Sequence, residues 1–331
     1  MTDSLGHVRE LFLVNHHALP PLTVAIAVGA LLPKALASSH WAHRTPRTAL
    51  VVWSVLALSL ITSLSLAFLQ LLLPAADSHQ LSRFVESCIF FDGADCPPLT
   101  LSSPADAGIR VWAAFAAAAV APVAFTAVLV REFLSAKRRR ARHGELLRLV
   151  GSRQPELRAT VLQHDAPAVY CLPGRAPQVV VSSGALRVLT EQQLAAVLEH
   201  ERAHIAGRHH LLIAAAAAFG TAFPGLPLAH LVRTEVPLLL EMTADDRALR
   251  RCSRGTLATA LYVVASGQAP HSAVAAGGPS AVLRVRRILT PHATSSPASW
   301  RALAAFPAAA ALTLFVMACC SVPGITDWPS K

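Results

Sequence analysis

Thr190-Glu191-Gln192-Gln193-Leu194-Ala195-Ala196-Val197-Leu198-Glu199-His200-Glu201-Arg202-Ala203-His204 is the stretch on which the reading of this chain turns. Thr190 with Gln193 three residues later matches a capping box, so a helix should begin there. On a helix, positions four apart stack on one face, which brings His200 and His204 to one point with Glu201 beside them. Two imidazoles and a carboxylate at that spacing suit a zinc hydrolase centre, the histidines binding the metal and Glu201 serving as general base. With 15 histidines in 331 residues, an accidental match to this pattern is expected about 0.02 times per chain. Leu194, Val197, Leu198 and Ile205 recur on the same side, which turns the motif inward instead of leaving it on a solvated face.

The surrounding chain is apolar. It is 53% hydrophobic and only 15% charged, with a mean hydropathy of +0.47, which points to a membrane protein. Stretches free of Asp, Glu, Lys and Arg, long enough to cross about 30 Å of hydrocarbon, run over 11–33, 48–76, 111–130 and 302–326. The first is longer than the apolar part of a signal peptide, lacks a basic lead and is read as retained. A fifth, 209–232, is interrupted by Gly220, Pro224, Gly225 and Pro227. It either crosses or forms a hydrophobic bend or re-entrant hairpin; the Gly/Pro centre favours the bend.

The net charge of +10 does not imply direct contact with nucleic acid, because the basic residues sit beside the spans and not on an aromatic-studded soluble face. Lys34, Arg44 and Arg47 separate the first two spans, and Arg131, Lys137, Arg138, Arg139, Arg140 and Arg142 follow the third. The loop at about 77–107, in contrast, holds five acids against Arg83. The positive-inside rule then places the N-terminus and that loop outside and residues 131–301 in the cytoplasm. Cys88 and Cys96 share the outer loop, where a bridge and two free thiols are both open. Cys171 and Cys252 should be reduced, and no chemistry is assigned to these two or to Cys319 and Cys320.

Between the third and last apolar stretches, residues 131–153 read as a basic helix leaving the membrane, either a topogenic stop or a headgroup-binding segment. Strand-like runs follow at 159–162, 168–172 and 178–181, the second ending at Pro173-Gly174. Val179-Val180-Val181 is either an edge strand, to which an extended peptide could add, or an interior one. After the 209–232 segment, Glu241 is the expected third metal ligand, which requires it to lie on the same side as His204.

In these residues the chain resembles the gluzincin membrane peptidases, specifically the BlaR1/MecR1-like peptidase family M56, with peptidase family M48 (HtpX and Ste24 type) as a cousin. The resemblance is carried by Tyr170-Cys171-Leu172-Pro173-Gly174, Val179-Val180-Val181-Ser182-Ser183-Gly184, the helix through His200-Glu201-Arg202-Ala203-His204, and Glu241-Met242-Thr243-Ala244-Asp245. It implies one catalytic Zn2+ held by His200, His204 and Glu241, with Asp245 supporting a ligand histidine. Asp246 is the alternative. Pro279-Ser280-Ala281-Val282-Leu283-Arg284 resembles a downstream His-Pro-Ser-x-x-x-Arg element of M48 enzymes, but Gly278 replaces the histidine and Arg284 is given no catalytic role. Only a short tail ending at Lys331 remains beyond the last apolar stretch, without a penicillin-binding sensor domain, so direct β-lactam sensing is not expected.

The fold class expected is a predominantly α-helical polytopic membrane protein with a small α+β zincin-like metallopeptidase domain carrying a short β-sheet. Its parts are a membrane region over 1–130, a cytoplasmic metallopeptidase domain over 131–300, and a last membrane helix with a short tail over 301–331. Three protein ligands leave a fourth zinc position open for water, as catalytic sites do. The function implied is a zinc endopeptidase of the cell membrane with its active site facing the cytoplasm, cleaving a protein substrate such as a BlaI-type transcriptional repressor. An HtpX-like quality-control protease is the alternative, and a receptor or scaffold with structural or absent zinc is the reading of another class. The partners expected are the protein substrate and the lipid bilayer, with a homodimer left open.

Overall fold

The computed structural model describes residues 18–38, 41–72, 109–174, 176–268 and 278–290. The 302–326 stretch, the outer loop and Cys88, Cys96, Cys319 and Cys320 lie outside the described residues.

The apolar runs form helices. α1 (Leu19–Ala37) contains a π-helical turn at Ala27–Leu31, α2 (Trp41–Arg44) is a single turn, and α3 spans Pro46–Leu72. α4, Ile109–Val150, has 42 residues. At 1.5 Å per residue it is about twice as long as a bilayer core is thick, so an apolar first half continues without a break into the basic segment Arg131 to Arg142. Three helices, Leu19–Ala37, Pro46–Leu72 and Val111–Val150, are long and apolar enough to cross a membrane.

Four strands follow: β1 (Gly151–Gln154), β2 (Ala159–Leu162), β3 (Val169–Leu172) and β4 (Gln178–Ser182). Their order in the sheet is β1-β2-β4-β3. β2 runs parallel to β4, and the other two pairings are antiparallel. One expectation is corrected here, and one open alternative is decided. Residues 151–154 are an edge strand and not the end of the basic helix: Gly151 lies so close to Leu147 and Thr160 that a Cβ would collide with them. Val179 to Val181 are interior, paired on both sides and at most 2% exposed, which leaves β3 and β1 as the edges.

Helices α5 (Ser183–Val188), α6 (Glu191–Ala206), α7 (His209–Ala222), α8 (Pro227–Ala248), α9 (Arg254–Gln268) and α10 (Gly278–Leu289) complete the described chain. α6 packs beneath the sheet, where Leu194, Val197 and Leu198 share a core with Val169, Val179, Val181 and Ala260. Each of the buried Leu and Val side chains contributes about 1.5–3 kcal/mol. A second core joins Val52, Trp53, Leu56 and Leu60 of α3 with Ala216 and Phe219 of α7 and Leu228, Val232, Leu239 and Leu240 of α8.

The ambiguous 209–232 segment is a helical hairpin. α7 has 14 residues, about 21 Å of helix, too short for the hydrocarbon core. Gly225, at φ +84, turns the chain, and Pro227 opens α8 at a position that needs no N–H donor. The return leg from Pro227 to Glu241 matches α7 in length, so Glu241 arrives level with the end of α6.

Candidate metal centre

Both members of the capping box on α6 are made. The Gln193 N–H donates to Thr190 Oγ1 (3.3 Å), and the Thr190 N–H donates to Gln193 Oε1 (3.0 Å). With the helix start pinned and its apolar face buried, His200 is turned inward and only 3% exposed. α8 crosses α6 with Glu241 and Asp245 one turn apart on its inner face, and Asp245 is fully buried.

Three ligand groups converge. His200 Nε2 and His204 Nε2 are 3.2 Å apart, and each lies 3.4 Å from a Glu241 oxygen, Oε2 and Oε1 respectively. Zinc bonds of 2.0–2.2 Å in a tetrahedron separate neighbouring ligand atoms by about 3.4 Å, so the three groups stand as one face of such a site. His200, His204 and Glu241 could therefore hold a metal ion, and their donor set of two imidazoles and a carboxylate suits zinc.

Behind these three groups, His200 Nδ1 lies 3.0 Å from Asp245 Oδ1, a close ion-pair contact off the line of a full hydrogen bond. Asp246 faces away, accepting both guanidinium arms of Arg287 at 2.7 and 2.9 Å, so Asp245 is the aspartate beside His200. Arg284 of α10, given no role from sequence, is part of the site. It grips Asp245 through Nε and Nη2 at 2.9 and 2.7 Å and reaches Glu241 Oε2 with Nη1 at 2.8 Å. Its Pro279-Ser280-x-x-x-Arg spacing was the one available signal.

The electrostatics follow from burial and pairing. Burial draws His200 downward, but the Asp245 and Glu241 carboxylates outweigh it and raise His200 to about 9. His204 falls to about 4, chiefly by burial. Burial would raise Glu241 and Asp245, yet contacts with His200 and Arg284 hold both near about 2. Burial, then the neighbouring Glu241 charge, pushes Glu201 above the usual carboxylate range, opposed by His200 and by the Cys171 thiol and N–H within its reach. The Cys171 thiol is itself pushed up to about 12, mainly by burial and then by Glu201, so it stays protonated and faces Glu201 as a donor. Cys171 and Cys252 are both free thiols.

Residues 134–292 match the model of peptidase family M48. No curated protein and no solved structure matches the chain. The matched span takes in the sheet, α5 to α10, both histidines, Glu201, Glu241, Asp245 and Arg284, and it supports an M48-type metallopeptidase hydrolase. M48 is the cousin family of the resemblance noted above. With three long apolar helices ahead of or entering the M48-type region, the protein reads as membrane-associated.

Proposed function

We propose that this chain is a membrane-embedded zinc endopeptidase whose site faces the cytoplasm and hydrolyses peptide bonds of a protein substrate. The observation that carries the reading is the triangle of His200 Nε2, His204 Nε2 and the Glu241 carboxylate, with edges of 3.2 to 3.4 Å. These residues would hold one zinc ion, which supplies a Lewis acid for the scissile carbonyl and lowers the pKa of water to about 7. Glu201, its pKa raised chiefly by burial, takes a proton from the attacking water as its oxygen bonds to the carbonyl carbon. It then delivers that proton to the amide nitrogen as the C–N bond breaks. Asp245 holds His200 in register, and Arg284 keeps the two acids ionised and in place.

The proposed substrate path follows the sheet. Because β4 is interior, the edge for an added strand is β3, where Cys171 lies against Glu201, so a peptide extended along β3 would pass beside the base. In the proposed organisation, 1–130 is a membrane region and 131–300 the metallopeptidase domain.

Two substrate classes fit this site. The resemblance to family M56 favours a BlaI-type repressor cleaved in signalling, and the M48 match equally supports HtpX-like cleavage of damaged membrane proteins. Cleavage of one folded cytosolic repressor against broad cleavage of unfolded membrane proteins separates them. The catalytic reading is tested by Glu201→Gln. That variant should retain one zinc per chain and lose about 10²–10⁴-fold in peptide hydrolysis; full hydrolysis would refute the role of Glu201. Absence of stoichiometric zinc in the purified chain would favour a receptor or scaffold.

A further inference from the structure

We propose that His209 is a positioning residue of the metal centre: its imidazole sets the tautomer and ring orientation of His204. The inference rests on reading His200, His204 and Glu241 as a zinc site. His204 directs Nε2 into the ligand triangle, so that nitrogen must present a lone pair and the ring proton must sit on Nδ1. His204 Nδ1 lies 2.9 Å from His209 Nδ1, and the rings meet edge to face, with centroids 4.7 Å apart and planes at 83°. Two Nδ1 atoms at that separation share one proton. His204 donates and His209 accepts, which makes His209 the neutral tautomer protonated at Nε2.

The backbone between α6 and α7 is shaped around this contact. Residue 208 takes the left-handed conformation that reverses the chain, at φ 49 and ψ 37, yet it is an arginine. The adjacent glycine, which would take that conformation without strain, instead sits at φ −79. Gly207 serves a different need: a Cβ there would overlap the His209 ring. The glycine is thus placed for ring clearance, and the turn is left to a strained Arg208. The result is an imidazole only 5% exposed set squarely behind a ligand.

The two ligand histidines are therefore supported differently. Asp245 backs His200 with a charge, while His209 orients His204 with a neutral acceptor, adding no further negative charge behind the metal site.

The test uses the purified full chain, with Zn2+ affinity measured by chelator competition and the ligand field read from the visible absorption of bound Co2+. His209→Leu removes the acceptor at similar bulk, and His209→Asn keeps an acceptor near the Nδ1 position. The Leu variant should bind Zn2+ about 10–100-fold more weakly and shift the Co2+ bands, while the Asn variant should retain both. Gly207→Ala, which displaces His209 without altering any ring, should behave like the Leu variant and serves if that chain fails to fold. Unchanged affinity and spectrum in Gly207→Ala or His209→Leu overturns the proposal, as does an equal loss in the Leu and Asn variants, which would mark a packing effect. Failure of the wild-type chain to bind zinc, or zinc retained undiminished in His200→Ala, would instead refute the zinc reading itself.

Discussion

His200 carries the proton that a metal would replace. With its pKa raised to about 9 by the adjacent carboxylates, it is charged in the metal-free protein at neutral pH, while His204, lowered to about 4, is neutral. Glu241, near about 2, is already ionised. Metal uptake therefore displaces one proton, from His200. Below about pH 9 the proton competes with the metal, so affinity should fall about tenfold for each pH unit on acidification and level off above it. Calorimetry of zinc binding in buffers of different ionisation heat checks this: close to one proton released at pH 7 is the expected result, and none would contradict the assignment. At this scale the histidine spacing, Glu201 and the capping box were legible because each is a local pattern. Arg284 was not, because its meaning depends on α10 packing against α8.

Between elements, Arg284 is the tie. It joins α10 to two acids of α8, one of them fully buried. Arg287 extends the tie, pairing with Asp246 and donating through Nε to the His43 carbonyl of α2 at 2.6 Å. Removing Arg284 would strand a buried carboxylate, so Arg284→Ala should destabilise the protein by about 3–5 kcal/mol, read as a lowered unfolding midpoint, and should weaken zinc binding. An unfolding midpoint equal to wild type would show that the tie is not structural. The hairpin of α7 and α8 was foreseeable from its Gly/Pro centre, but the matching leg lengths that return Glu241 to His204 became visible only in the fold. β4 carried a signal of its interior place: an unbroken Val-Val-Val run suits a strand covered on both faces, whereas an exposed edge favours alternation. The polar Gly151-Ser152-Arg153-Gln154 carries no strand pattern, and pairing with β2 makes it one.

Over the whole molecule, composition and charge asymmetry organise the proposed topology. α4 takes six basic residues, Arg131 to Arg142, out of its apolar half on a single helix, so the orientation of that half sets the side on which the M48-type region lies. Replacing Lys137, Arg138, Arg139 and Arg140 with glutamine should weaken cytoplasmic retention of this region, measured as increased labelling of a cysteine-reactive or reporter tag placed after Gln268 from the outer side. Unaltered labelling would argue that packing, and not charge, fixes the orientation.

The sequence by itself determined the long apolar helices, three of the four strands and the two-histidine half of the candidate site, because hydropathy, strand and turn patterns, capping and helical spacing are properties of neighbouring residues. The tertiary structure alone decided that Asp245 and not Asp246 lies against His200, that Arg284 joins Asp245 and Glu241, that β3 is the open edge beside Glu201, and that Glu241 reaches His204. Each of these depends on where a side chain 30 or more residues away comes to rest, and that is set by packing of α6, α8 and α10 around a common core, which no local pattern encodes.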